Sequence, residues 1–550
     1  MEKRNLIAFF VVSLAIMVGW NYMFPPPVPK PATTQSQSAQ TNGKTSAVKV
    51  TESVLKNGEQ IQFETDVFRG TIDADSGDIR NLTLTHFDAT EDASKTMTLF
   101  GNKNDYIYVP QTGLLDQNNQ YLFKDIPFVA EQNSYKLTGD QLQVKLTAKQ
   151  GNFALDKIYT FTKGSYKIEL SYVVHNLSDA TLTPSAVFSM LRDNQTPKGE
   201  SYFAATYVGP VVYTPEGSFE KVSFKDLDKD FSKGIDSVDY VRRANTGWIG
   251  MIQHYFIATW LLEPKGQPTV CGKDACQFEI KKRKDGLYSS GVRVQLPAIA
   301  PEKSETFNMS LYAGPADYKI VTQVADKLEL TKDYGKVYLF ATPLFWLLNK
   351  LHAWVQNWGW AIVLLTVIVK LVLYPLTAAS YRSMAKMRAV APRLQLLKEQ
   401  CGDDKMKLQQ EMMALYKKEK INPLGGCLPI VLQIPVFIGL YWALFASVEL
   451  RQAPWVLWIH DLARPDPFYV LPILMAVTMF IQTFLNPPPP DPLQAKMMKI
   501  MPIMFSVMFF FFPAGLVLYW VVNNILSITQ QWLINRKMKA NPHPAHHKES

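Results

Sequence analysis

The stretch from Trp358 to Thr377, WGWAIVLLTVIVKLVLYPLT, constrains this chain more than any other. It is long and apolar enough to cross a bilayer, since about 20 apolar residues span the hydrocarbon core. Lys370 lies in its middle. A cation at that depth costs roughly 2.5–3.5 kcal/mol on insertion scales, so it requires a wet or polar surround. Thr366, one turn before Lys370, and Thr377, two turns after it, fall on the same helical face. The helix therefore carries one polar stripe, which is expected to face a polar interior rather than lipid. The alternative is a lysine that snorkels to an interface. The uniformly apolar residues on both sides of Lys370 argue against it.

Composition needs care beside such a segment. A hydrophobic content of 47% would also suit a soluble protein. The average hides a polar first part and a very apolar last part. The net charge is +9, which taken alone would suit a nucleic-acid binder. The basic residues cluster beside apolar runs, however. There they read as topology signals and as contacts to anionic membrane lipids, so DNA is not an expected partner.

Lys3 and Arg4 precede an apolar run, Leu6–Phe24. The run is longer than the apolar region of a usual signal peptide, and three prolines follow it where a small-residue cleavage site would stand. Residues 1–24 are expected to be an uncleaved transmembrane anchor with a cytoplasmic N-terminus. Residues 25–55, rich in Pro, Thr, Ser and Gln, are expected to be a flexible linker. Residues 56–335 carry alternating runs such as IQFETDVFRGTID, QLQVKLTAK, YKIELSYVVHN and VRVQLPAI, separated by turns such as Asp75–Asp78. Period-two alternation over this length predicts a large all-β domain built as a two-sheet sandwich, placed outside the cytoplasm by the anchor. Cys271 and Cys276 fit either a disulfide in that oxidising compartment or two free thiols. The four cysteines include no CxxC pair and no metal-type spacing, and no metal is expected.

From Tyr334 the pattern turns helical. Leu344, Leu347, Leu348, Leu351, Trp354 and Val355 follow helical spacing, so residues 336–356 are expected to form an amphipathic helix in the outer interface. His352 reads there as an interfacial polar residue. Apolar spans follow at about 358–377, 424–445 and 468–485, and two more between 498 and 534 broken at Pro513-Ala514-Gly515. Residues 380–421 hold an excess of Lys and Arg and break at Gly402-Asp403-Asp404. This predicts a cytoplasmic helical hairpin whose second helix is capped by an Asp. The tail, 537–550, is basic. Six spans with both termini in the cytoplasm satisfy every loop.

The later spans carry uncharged polar groups that need partners in hydrocarbon. They are Gln433, then Thr478 and Gln482, then Tyr519, Asn523, Ser527 and Gln530 or Gln531. Thr478 and Gln482 read as glue between helices. Asn523 and Ser527 are expected to share a polar cavity with Lys370. There is no phosphate-binding loop, and no nucleophile or metal motif appears in the membrane part, so no cofactor and no catalytic residue are expected.

Several stretches together resemble the YidC family of membrane-protein insertases. They are Tyr374–Thr377, Ser383–Arg388, Gln410–Tyr416, Asn422–Cys427, Val448–Pro454 and Gly515–Trp520, in order across about 200 residues. The anchor and large exported domain resemble the Gram-negative branch, in the bacterial inner membrane. The resemblance implies a five-helix core with a hydrophilic groove open to cytoplasm and lipid, and a periplasmic β-supersandwich similar in fold to sugar mutarotases. Where the family commonly has an arginine in the groove, this chain has Lys370, which keeps the charge and loses the planar fork.

The expected function is insertion of membrane proteins without covalent chemistry, by lowering the desolvation cost of a client's polar segment. Lys370, Thr366, Gln433, Tyr519, Asn523 and Ser527 would form the client-binding groove. Nascent membrane proteins are the expected clients, and the family implies work alone or with the Sec translocon. The hairpin and basic tail would receive clients or ribosomes. Two other classes compete. One is a small-solute transporter or channel using Lys370 as its binding site, which the lack of a visible inverted repeat weakens. The other is a carbohydrate-active enzyme, for which His86 and His254 of the β domain are isolated candidates.

Overall fold

The computed structural model describes residues 55, 57–89, 94–103, 106–197, 207–272, 275–332, 334, 337–402, 404–419, 428–485, 500, 502–504 and 506–540. The expected anchor, nearly all of the linker, the Asn422–Cys427 motif, the loop 486–496 and the end of the basic tail lie outside these residues. The chain divides into two compact units, with the boundary between Asp333 and Tyr334.

The first unit is all-β apart from short helices such as α1 (Phe224–Lys233) and α2 (Tyr318–Val324). Its strands form an 11-stranded and a 9-stranded sheet. Lys167–Asn176 alternates buried and half-buried residues along its length, and it pairs antiparallel with Phe153–Thr162 and Lys303–Pro315. The sequence pattern reads this strand directly, because one face meets the core and the other meets water. The run IQFETDVFRGTID is two strands, Gln60–Glu64 and Phe68–Asp73, rather than one. Thr65 makes the turn, its Oγ1 accepting from the backbone N–H of Phe68 at 2.9 Å and of Val67 at 3.3 Å. Aromatic rings fill the core: Phe63 stacks on Phe161 with centroids 4.5 Å apart, and Phe188 lies 5.2 Å from Trp260. Cys271 and Cys276 form a disulfide, their Cα atoms 5.4 Å apart.

A buried ionic group sits within this core. Lys157 Nζ donates to Ser76 O at 2.8 Å, to Thr112 Oγ1 at 2.9 Å and to Asp78 Oδ1 at 3.1 Å. The Lys157 and Asp78 side chains are only 3% and 5% exposed. Such a pair is tolerable because every Lys157 N–H finds an acceptor and Asp78 also accepts from Thr112.

The second unit is helical. Its elements are α3 (Tyr338–Val355), α4 (Trp358–Val372), α5 (Tyr374–Ala389), α6 (Ala391–Cys401), α7 (Lys405–Lys418), α8 (Leu428–Phe445), α9 (Val470–Leu485) and α10 (Ala514–Ala540). Helix α10 packs against α4, α5, α8 and α9, and α3 packs against α4 and α8. Phe437, Phe509 and Trp520 fill the space around α8 and α10. Asp404 caps α7, its Oδ1 accepting from Met406 N at 3.1 Å and Lys407 N at 3.0 Å. Val390, Tyr416, Leu394 and Met412 hold α6 and α7 together.

Among the described residues no single helix is long and apolar enough to cross a membrane. The pair α4 and α5 meets the test together, bent by 67° at Leu373. This corrects the reading of 358–377 as one continuous span. Pro375 offers no N–H to the carbonyl of Leu371 and its ring crowds that turn, so the helix breaks there. It also moves the start of the hairpin. Residues 380–389 belong to α5, and the two packed hairpin helices begin at Ala391.

The loop between α8 and α9 folds onto the ends of α4 and α10. Ala514 N donates to Arg464 O at 2.7 Å and Gly515 N to Leu462 O at 2.9 Å. The Trp455 ring covers Gly359, where any Cβ would come within 2.3 Å of its Cγ. Asp466 caps the start of α9 by accepting from Leu471 N at 2.8 Å.

Candidate functional site

Helix α10 supplies the frame of the site. Its polar residues project at Asn523, Asn524, Ser527, Gln530 and Gln531, and each engages a different place on the surrounding helices. Lys370 of α4 is 6% exposed and its Nζ donates to Ser527 Oγ at 2.6 Å. Ser527 Oγ in turn donates to Asn523 O at 2.7 Å. Asn523 Nδ2 reaches Gln433 Oε1 of α8 at 3.5 Å, the outer limit of a hydrogen bond. Lys370, Ser527, Asn523 and Gln433 thus form one polar line across three helices. Asn523 and Ser527 are 4% and 1% exposed, whereas Gln433 is half-buried.

Thr366 and Tyr519 lie one turn from members of this line. Thr366 Oγ1 donates to Ile362 O at 2.7 Å, so its proton is spent on its own helix and only its lone pairs remain to offer. Tyr519 is buried one turn before Asn523. Among the described residues no carboxylate lies within ion-pair distance of Lys370. Among those residues its hydrogen-bond partner is a neutral hydroxyl, although an ammonium can donate three hydrogen bonds. An acidic or carbonyl-rich guest is the chemical complement of such a group.

Further bonds complete the frame; sequence reasoning named Thr377 and Gln530 or Gln531 without pairing them, and it missed Asn524 and the role of Arg388. Gln530 Nε2 donates to Thr377 Oγ1 of α5 at 2.8 Å. Asn524 Nδ2 donates to Thr478 Oγ1 of α9 at 3.2 Å. Thr478 is therefore helix glue, but its partner is Asn524, one position off the polar stripe read from sequence. Gln531 Nε2 donates to Leu485 O at 3.0 Å. Arg388, read only as a cytoplasmic charge, donates to Phe484 O at 3.0 Å and so caps the end of α9.

In the β unit His86 and His254 lie on different elements. A depression of about 560 Å³ is lined by residues including Ile126, Val129, Lys145, Thr147 and Lys149, and neither His86 nor His254 is among its lining residues. His86 is exposed on its strand, and the His254 ring stacks on Tyr255.

Comparison with known proteins covers both units. The family model described as the YidC periplasmic domain matches residues 60–347, and that of the 60Kd inner membrane protein matches residues 350–541. The chain is 56% identical over 540 residues to a membrane protein insertase YidC of Neisseria meningitidis, covering 98% of both chains. It is 52% identical over 547 residues to the protein of that name from Laribacter hongkongensis, again covering 98% of both. Among solved structures, a crystal structure of an active YidC insertase with its first transmembrane domain resolved aligns over 96% of this chain and 99% of the other, with 16% identity and a TM-score of 0.41.

Proposed function

Because this chain belongs to the YidC family of membrane protein insertases, we propose that the line Lys370–Ser527–Asn523–Gln433 is where it receives a client's polar segment. Insertion of membrane proteins is the function of the family, and the chain is an inner-membrane protein with a large β periplasmic domain. The observation that carries the reading of the site is Lys370. It is a cation 6% exposed inside an apolar helix bundle, paired to Ser527 and to no carboxylate among the described residues. Such a group lowers the desolvation penalty of an incoming acidic segment by pairing with it. Ser527, Asn523, Gln433, Thr366 and Tyr519 supply hydrogen-bonding groups to the guest's backbone. The client's apolar span then leaves sideways into lipid, and no covalent step is required.

The rest of the architecture is part of the same proposal. Six spans place both termini in the cytoplasm, with residues 1–24 as anchor and 336–356 along the outer interface. The hairpin and the basic tail face the cytoplasm, where nascent chains, the ribosome and the Sec translocon are the partners. The test separates an insertase from a solute transporter. The purified chain in vesicles free of other proteins should insert a single-span client and give no Lys370-dependent uptake of small solutes. Solute uptake abolished by Lys370→Ala, with no client insertion, would reject the proposal.

A further inference from the structure

The bend between α4 and α5 lies three residues past Lys370, and the contacts around it form a second layer behind the site. Pro375 leaves the helix without one backbone bond. Thr377 compensates. Its backbone N donates to Leu373 O at 3.0 Å, and its Oγ1 reaches the same carbonyl at 3.0 Å and Tyr374 O at 3.1 Å. A threonine hydroxyl bonded back to its own helix often distorts that helix, and here it does so in the turn that follows Pro375. Gln530 Nε2 then donates to Thr377 Oγ1 at 2.8 Å. An oxygen that accepts from Gln530 points its own proton at the backbone, so Gln530 fixes the hydroxyl's orientation and ties the first turn of α5 to α10. Thr377 and Gln530 are 1% and 8% exposed, so the bond is sheltered from water.

The consequence reaches the site from both sides of the bend. Before it, Lys370 touches Ser527. After it, the buried Tyr381 interacts with the same Ser527 and packs with Ala378, Met384 and Ile534. Gln530 is three residues beyond Ser527 on α10. A straighter α4–α5 would carry Lys370 and Tyr381 apart and could not keep both on Ser527. We propose that Gln530 and Thr377 are positioning residues of the insertion site: their hydrogen bond ties α5 to α10 just past the break that Pro375 makes, fixing the angle of the bend that holds Lys370 on Ser527 and aims the hairpin arm.

The functional half of this inference rests on the reading of Lys370 as the client-receiving cation. The geometric half does not. The full chain, lacking Cys401 and Cys427, is spin-labelled at Trp360→Cys and Ala389→Cys and reconstituted in vesicles. The distance between labels and the insertion of an acidic-tailed and a neutral-tailed client are measured together. The parent gives one narrow distance. Gln530→Met and Thr377→Val each lengthen or broaden it and lower the acidic-to-neutral insertion ratio by about three- to twenty-fold, the range of single buried hydrogen bonds between membrane helices. The double variant is no worse than either single one, because one bond is removed in each case. Thr377→Ser keeps the hydroxyl and retains the parent distance and ratio. An unchanged distance in Gln530→Met overturns the proposal, as do additive effects of the two substitutions or a Thr377→Ser variant that behaves as Thr377→Val. Equal loss of both clients also overturns it, since that marks general damage to the bundle. A changed distance with an unchanged ratio overturns the reading of Lys370 and leaves the bend assignment standing.

Discussion

Reversing the charge at Lys370 should have an effect that depends on the client. The perturbation is Lys370→Glu, with Lys370→Arg and Lys370→Met as controls. An ammonium and a carboxylate 4 Å apart attract by about 4 kcal/mol at an effective dielectric of about 20. Partial screening as the client enters reduces that to roughly 1–2 kcal/mol, between that value and the about 1 kcal/mol or less of fully solvated pairs. About 1.4 kcal/mol is tenfold, so Lys370→Met should slow insertion of an acidic-tailed client by about tenfold. Lys370→Glu replaces attraction with repulsion of similar size, which gives about a hundredfold. Lys370→Arg keeps the charge and should stay within about threefold, because Ser527 offers a single acceptor that either cation can use. A client with an uncharged tail should change by less than about threefold throughout. The assay is the rate of protease protection of each client in reconstituted vesicles. If Lys370→Glu inserted the acidic client as fast as the parent, the attraction argument would be wrong.

Other outcomes concern the β unit and the loop between α8 and α9. Residues 55–335 should fold alone, and Lys157→Met should destabilise that fragment by about 3–5 kcal/mol in urea unfolding, since it leaves Asp78 charged and buried; a loss under 1 kcal/mol would show that the pair is solvated. Reducing the Cys271–Cys276 bridge should cost the fragment about 2 kcal/mol, the loop being short, and an unchanged unfolding midpoint after reduction would contradict this. Asp461, in the loop between α8 and α9, has its carboxyl pushed up by burial, which outweighs the lowering by the backbone N–H groups of Ala463 and Gln452 and by Arg464 and Arg451. A folded pKa above the unfolded one means stability that is full below the unfolded pKa and declines as pH rises through the folded pKa. Asp461→Asn should therefore raise the melting temperature of the detergent-solubilised chain at neutral pH and not at low pH; a gain only at low pH would reverse the sign of the argument.

Much of the site was legible because its residues break a local rule. A lysine in WGWAIVLLTVIVKLVLYPLT and a polar stripe at Asn523 and Ser527 are each improbable in hydrocarbon, and they meet in space. The bend at Leu373 was less legible. Hydropathy sums side chains and is blind to the backbone bond that Pro375 removes. Asn524 and Arg388 escaped for a different reason. Asn524 lies outside the stripe toward Lys370, and its role becomes visible only once α9 is known to pass beside it. Arg388 looks like any other cytoplasmic charge until the end of α9 is known to stop in front of it. In the β unit, strands with one wet face such as Lys167–Asn176 declared themselves by alternation. The fully buried strands Trp248–Gln253 and Phe256–Leu261 have no alternation to read. The turn at Thr65 carries neither Gly nor Pro, so nothing in the alternating run marks it.

The central claim is that a client's polar segment passes along the line from Lys370 to Gln433. The direct measurement places a photocrosslinking residue singly at Lys370, Gln433 and Asn523, with Leu376 on α5 and Ile473 and Phe484 on α9 as exposed apolar controls. Ribosome-bound nascent chains of a single-span client are stalled at successive lengths, and the crosslinked residue of the client is mapped. The account predicts that the client's polar segment crosslinks to all three site positions over one window of lengths, before its apolar span reaches the control positions. Crosslinks of that segment to the apolar controls at every length, with none at Lys370, Gln433 or Asn523, would contradict it.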